Sequence, residues 1–259
     1  AVEPARRDAP PAEGRWPLVV ASHCTGCTRF DLMTVAERLA SHGVVVAAPD
    51  HAGDTLQDDL AGTSLPLDTE TLALRRDDLK AVLDAALDGA WVDGLTFDAD
   101  RVGALGHSFG SVTAGLLAQG DPRIRAVMGI AAPMENPLLP GVEVATLTTP
   151  LLLLVAQEDH SIFEIGNELI RDNWASAGGP AWKVELPDAG HWSVSDLCGL
   201  TAGFMPCCGD AERQVGGAPF TYGDPAALRD RTATVAAAFF LDRFEIAPGA
   251  LDDLGAESR

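Results

Sequence analysis

The sequence is poor in positive charge. Lysine occurs only twice, as Lys80 and Lys183, and 18 basic residues face 38 acidic ones for a formal net charge of −20. Such a balance repels nucleic acid and anionic membrane surfaces, and it favours neutral substrates over phosphorylated or carboxylated ones. No run approaches the roughly 20 apolar residues of a membrane-spanning helix. The most apolar stretch, Leu147 to Ala156, has the length of a strand. There is no internal repeat, no low-complexity segment and no break in composition, so the 259 residues, 47% hydrophobic, are read as one domain. The opening A-V-E-P-A-R-R-D-A-P-P-A-E-G-R carries no signal-peptide pattern. Residues 1–15 are expected as an extended lead-in, 16–245 as the folded domain and 246–259 as a tail.

Cysteine is scarce but clustered. Cys24 and Cys27 form a C-x-x-C, while Cys198, Cys207 and Cys208 share one loop. Two disulfides with one cysteine left over is the first reading, and it implies a secreted or periplasmic protein. Cys198 with Cys207 or Cys208 is the shortest clasp. A zinc site is the rival, but the two clusters lack the compact spacing of a finger. A thioredoxin-like redox role is weaker still, because this C-x-x-C does not open a clear helix.

Short apolar runs alternate with helical patterns. Pro17–His23, Val44–Asp50, Arg101–His107, Ile124–Ala131, Leu151–Ala156 and Trp182–Pro187 read as buried strands. Phe30–His42, Thr69–Asp88, Ser111–Gln119, Ile162–Ser176 and Ala226–Phe244 read as helices, and 51–68 and 190–225 as loops. The alternation predicts an α/β fold, a doubly wound and mainly parallel sheet flanked by helices. Ligands in such sheets bind beyond the carboxyl ends of the strands.

One strand-to-helix junction reads G-H-S-F-G, a G-x-S-x-G pattern centred on Ser108. A tight turn there lifts the hydroxyl above the sheet, and Gly106 and Gly110 remove the Cβ atoms that would collide. A serine hydroxyl is a weak nucleophile at neutral pH, so it needs a histidine base, and the base needs a carboxylate to orient it. Of six histidines, His191 follows the last expected strand in P-D-A-G-H-W and is the predicted base. Asp159 in A-Q-E-D-H-S-I follows the strand Leu151–Ala156 and is the predicted acid, with Glu158 as the fallback. Two donors must face the developing oxyanion. The backbone N–H of Phe109 is one. The other comes from the loop S-H-C-T-G-C-T, with Thr25 first and Cys24 next. Trp192 and Ile162, with Phe109, are candidate apolar walls of the substrate pocket.

With G-H-S-F-G, Q-E-D-H-S-I and A-G-H-W-S-V-S-D-L-C in this order, the chain resembles an α/β-hydrolase. Within that superfamily it is similar to the bacterial branch related to dienelactone hydrolases and platelet-activating-factor acetylhydrolases, with cutinase-like polyester hydrolases as neighbours. The resemblance runs from about Pro17 to Phe244. It implies Ser108 as nucleophile, His191 as base, Asp159 as acid, and Thr25 and Phe109 as oxyanion donors. The chain departs from its relatives in three ways. Cys24 and Cys27 stand near the glycine positions of the usual H-G-x-G-G or P-G-Y loop, so a disulfide there would staple the oxyanion loop. Only sixteen residues precede Pro17, where most relatives carry an antiparallel strand pair, so the sheet is expected to be shortened or the chain trimmed. Ala131 to Met134 offers no carboxylate, and Glu135 is the near candidate for the alternative acid position of the acetylhydrolase branch. The thiol chemistry of dienelactone hydrolases is set aside, because the elbow residue is serine.

No cap of forty or more residues interrupts the pattern, so no large cap domain and an open site are expected. The resemblance implies a serine carboxylic-ester hydrolase working through an acyl-enzyme on neutral short-acyl or aryl esters, with polyesters as an extension. An acyltransferase or a peptide or amide hydrolase with the same triad is the alternative, and a non-catalytic binding protein on this fold the third. No cofactor, no metal, no nucleic-acid partner and a monomer are expected.

Overall fold

In the computed structural model the described residues are 6–89 and 94–259, and residues 1–5 of the expected lead-in lie outside them. In chain order the strands are β1 (Arg15–Ser22), β2 (Val45–Ala47), β3 (Thr96–His107), β4 (Ala126–Ile130), β5 (Leu151–Ala156), β6 (Ala181–Leu186), β7 (Asp210–Glu212), β8 (Pro219–Thr221) and β9 (Glu257–Ser258). The helices are α1 (Met33–Ser41), α2 (Leu56–Ala61), α3 (Thr69–Leu87), α4 (Phe109–Gly120), α5 (Phe163–Ser176) and α6 (Pro225–Arg243). One sheet has the order β2-β1-β3-β4-β5-β6-β9, parallel except for β9. This is the α/β-hydrolase fold, and no large cap covers it.

The central strands are continuous apolar runs because both faces of the sheet are covered. In β5 all six residues, Leu151 to Ala156, are buried. Their side chains alternate: Leu151, Leu153 and Val155 belong to the core on the face covered by α3, α4 and α5, whereas Leu152, Leu154 and Ala156 belong to the core on the face covered by α1 and α6. Each fully buried leucine contributes about 1.5–3 kcal/mol of burial free energy. Close approach of α6 is written into β3, where a Cβ on Gly103 would run into the Phe240 ring.

The topology makes the crevice. From β1 the chain moves outward to β2, then recrosses to lay β3 on the other side of β1. The loops leaving β1 and β3 therefore diverge at their carboxyl ends, the switch point where such sheets bind ligands.

Three local readings need correction. Residues 51–68, expected as plain loop, contain α2, begun by a capping box in which the Thr55 hydroxyl accepts from the Asp58 amide and the Asp58 carboxylate from the Thr55 amide. Trp182–Pro187 is not the last strand: the tail returns, buries Leu251 and adds β9 along β6. A two-residue strand carries no periodicity that a sequence could display. The long loop 190–225 holds the antiparallel hairpin β7–β8 and is closed by a disulfide between Cys198 and Cys207, Cα atoms 5.9 Å apart. Cys24 pairs with Cys27, and Cys208 is free and exposed. Among the described residues no helix is long and apolar enough to cross a membrane.

Candidate active site

Ser108 stands between β3 and α4 with φ 55° and ψ −123°, a conformation that a side-chain-bearing residue rarely adopts. The turn closes so tightly that a Cβ on Gly106 would overlap the carbonyl of Gly110, and one on Gly110 the carbonyl of Ser22. The hydroxyl is thereby pushed out over the sheet at the N-terminus of α4, where the helix dipole favours negative charge.

Loops after β5 and β6 meet it. His191 Nε2 lies 2.9 Å from Ser108 Oγ, and His191 Nδ1 lies 2.7 Å from Asp159 Oδ2. Asp159 is fully buried, and its other oxygen accepts the amides of Ser161 (2.9 Å) and Ile162 (3.1 Å). The carboxylate therefore has a single orientation. Glu158 turns the opposite way, where it accepts Arg213 Nη1 and the Gln214 amide, each at 2.9 Å, and so ties the β7–β8 hairpin to this loop. Tyr222, on the same side, has its phenol pushed up to about 12, by burial first and then by Glu158 and Asp159.

The other predicted residues fall as follows. Phe109 opens α4 directly after Ser108. Thr25 is exposed on the loop after β1, its hydroxyl donating to Asp54 at 2.7 Å. The Cys24 amide, the other candidate, is engaged by Asp31 at 3.1 Å. Ile162 is half-buried and packs on Gly166. Trp192 does not stand open to the crevice: it is 8% exposed, edge-on to the His191 ring at 4.8 Å and to Phe204 at 4.9 Å, among the cysteines of both disulfides. It backs the histidine rather than facing solvent.

Sequence reasoning passed over a second layer. His107, inside the elbow, meets Asp31 at 3.0 Å through Nδ1, and its Nε2 donates to the backbone carbonyl of His191 at 3.1 Å. Both groups are completely buried. Burial opposes either charge, but their mutual attraction and hydrogen bond outweigh it, so the His107 pKa is raised and that of Asp31 lowered. The Ser195 hydroxyl also donates to Asp31. This charged pair holds the His191 backbone from below. Arg75 of α3 is likewise buried, bonded to Ser22, His23, Asp54 and Thr113. Its signal was its position: it shares the spacing of Leu72, Leu79 and Leu83 on the inward stripe of α3.

A metal is poorly served by this centre. The grouping Cys24, Asp31 and His107 has the right atoms close together, but Cys24 is in a disulfide and the other two neutralise one another.

Residues 5–192 match the Dienelactone hydrolase family. A ferulic acid esterase from Streptomyces cinnamoneus has a similar solved structure, with TM-score 0.71 and 28% sequence identity over 95% of this chain and 72% of that one. No curated relative matches the chain.

Proposed function

We propose, from the premise that the chain belongs to the dienelactone hydrolase family and is a hydrolase of the esterase kind, that it is a serine carboxylic-ester hydrolase acting through an acyl-enzyme. The observation that carries the reading is the unbroken relay from Ser108 to His191 to buried Asp159, at 2.9 and 2.7 Å. In this reading Ser108 Oγ attacks the ester carbonyl as its proton passes to His191 Nε2. The carbonyl oxygen takes the negative charge and is held by the backbone amides of Phe109 and Thr25. Collapse of the tetrahedral adduct breaks the ester C–O bond, and His191 returns the proton to the departing alcohol. Water then repeats the sequence on the acyl-enzyme, releasing the acid and restoring Ser108. Asp159 keeps Nδ1 protonated and steadies the imidazolium throughout.

Substrates are neutral esters with short or aromatic acyl groups. The net charge of −20 disfavours anionic ones, and the likeness to a ferulic acid esterase makes aryl esters the first class to test, with aromatic polyesters as an extension. Two disulfides support export to an oxidising compartment. The test is turnover of p-nitrophenyl esters from acetate to octanoate and of a methyl hydroxycinnamate, with Ser108→Ala as control. Loss of at least about a thousandfold in Ser108→Ala is expected, and an undiminished rate would overturn the reading.

A further inference from the structure

We propose that Arg75 is a positioning residue that fixes both halves of the oxyanion hole with one side chain, an inference that rests on the serine-hydrolase reading above. The two oxyanion amides come from segments far apart in sequence, Thr25 after β1 and Phe109 at the start of α4, and the β1–β3 ladder registers those segments only as far as Ser22 opposite Gly106. The guanidinium of Arg75 lies between them, 1% exposed. Toward the β1 loop it donates to the His23 carbonyl, to Ser22 Oγ at 3.0 Å and to Asp54. Asp54 in turn accepts the Thr25 hydroxyl at 2.7 Å and the Gly26 amide at 3.0 Å, so the turn that carries the Thr25 amide, closed by the Cys24–Cys27 disulfide, is oriented through this ion pair.

Toward α4 the same group stacks 4.6 Å from the centre of the Phe109 ring, and its Nε donates to Thr113 Oγ1 at 3.3 Å. The Thr113 hydroxyl donates onward to the Phe109 carbonyl at 3.0 Å. A planar fork with fixed donor directions suits this task in a way a single ammonium does not. Burial lowers the pKa of Arg75 to about 10, which still leaves it charged at neutral pH. A packing role alone would be served by an apolar residue on this stripe. The arrangement instead commits Nη2 to the end of β1, Nε to α4 and Nη1 to Asp54, the residue that holds the Thr25 turn.

The experiment compares the parent with Arg75→Met and Arg75→Lys. Readouts are kcat and KM on p-nitrophenyl acetate, thermal melting, and inhibition by an alkyl trifluoromethyl ketone beside the matching methyl ketone. On the activated ketone Ser108 Oγ bonds to the carbonyl carbon, its proton moves to His191, and the carbonyl electron pair becomes an oxyanion in the hole. The methyl ketone binds without that step. In Arg75→Met kcat is expected to fall about 10–100-fold, less than the loss of an oxyanion donor outright. KM should stay within about threefold, trifluoromethyl ketone affinity should fall by the same factor as kcat, and methyl ketone affinity should hold. Arg75→Lys should recover part of the loss.

A folded Arg75→Met protein with parental kcat and ketone affinity overturns the inference. Should that variant not fold, Asp54→Asn carries the same test, because it keeps an acceptor for Gly26 while removing the charge that holds the guanidinium. An unchanged kcat and ketone affinity there is equally fatal. An active Ser108→Ala protein removes the serine reading and this inference together, whereas an inert Ser108→Ala beside an unimpaired Arg75→Met overturns this inference alone.

Discussion

Among the described residues, two Ser–His–Asp relays have nearly the same distances. In one, Ser108, His191 and Asp159 are linked at 2.9 and 2.7 Å. In the other, Ser22, His51 and Asp78 are linked at 2.9 and 2.9 Å. What separates them is everything around the hydrogen bonds. Ser22 is the last residue of β1, 1% exposed, in ordinary strand geometry, with its oxygen already accepting from Arg75. Ser108 sits on a strained turn at a helix N-terminus, half-open to the crevice. The acids are reversed as well: Asp159 is sealed and fixed by two amides, while Asp78 is 45% exposed. Connectivity alone therefore does not make a nucleophile. In the proposed mechanism the difference is made by access, backbone strain and the donors that would face the oxyanion.

The sharpest way to break this comparison is covalent. A fluorophosphonate should label Ser108 and leave Ser22 unmodified, as read by peptide mass spectrometry. Ser108→Ala should abolish both labelling and turnover, whereas Ser22→Ala should cost less than about tenfold in kcat/KM, the scale of one displaced supporting hydrogen bond. Labelling at Ser22 would erase the distinction. Next in size, Asp159→Asn should lower kcat on the order of a thousandfold by leaving His191 in the wrong tautomer. Glu158→Gln should cost under about tenfold, since its partners are Arg213 and the Gln214 amide rather than the histidine.

A third test uses pH. The His51 pKa is lowered to about 4, first by burial and then by Arg75 and the His23 ring 4.8 Å away, against the opposing pull of Asp78. An unfolded histidine titrates near ~6.5. A base held neutral in the fold contributes stability that is complete above the unfolded value and is lost as pH falls toward the folded one. The melting temperature should therefore drop between about pH 6.5 and 4, and His51→Gln should flatten that drop by a few degrees. The smallest effect on turnover concerns the loop beside Trp192. Cys198→Ser with Cys207→Ser should cost about 2–3 kcal/mol of stability for a loop of this length, with kcat falling only through loosened support of His191.

Much of this was legible in the chain. The strands were, because burial on both faces turns Leu151–Ala156 into an unbroken apolar word. The elbow was, because its geometry needs glycine at two fixed offsets from a serine. The placement of Ser108, Asp159 and His191 after β3, β5 and β6 could be read, and so could the pair Glu158 and Asp159 as neighbours in one turn. The direction of Glu158 and Asp159 could not, since it depends on one residue of register in a turn. The Asp31–His107 pair and Arg75 were hidden for a different reason. Their partners lie 76 and 21 to 53 residues away in the chain, and a charged residue on a helix reads as solvated until the strand it faces is known. The edge strand β9 and helix α2 were too short for periodicity to register.

The turn after β5 divides its contacts between neighbours: Asp159 bonds His191, and Glu158 grips the β7–β8 hairpin through Arg213 and the Gln214 amide. That makes the hairpin a detachable module. Its sequence can be exchanged by design so long as a cation returns to Glu158 and Asp188 and an amide to Glu158, because the hydrogen bonds of Asp159 are made with Ser161, Ile162 and His191 instead. Remodelling it is thus a grafting problem whose anchors are gathered at Gln157, Glu158 and Asp188.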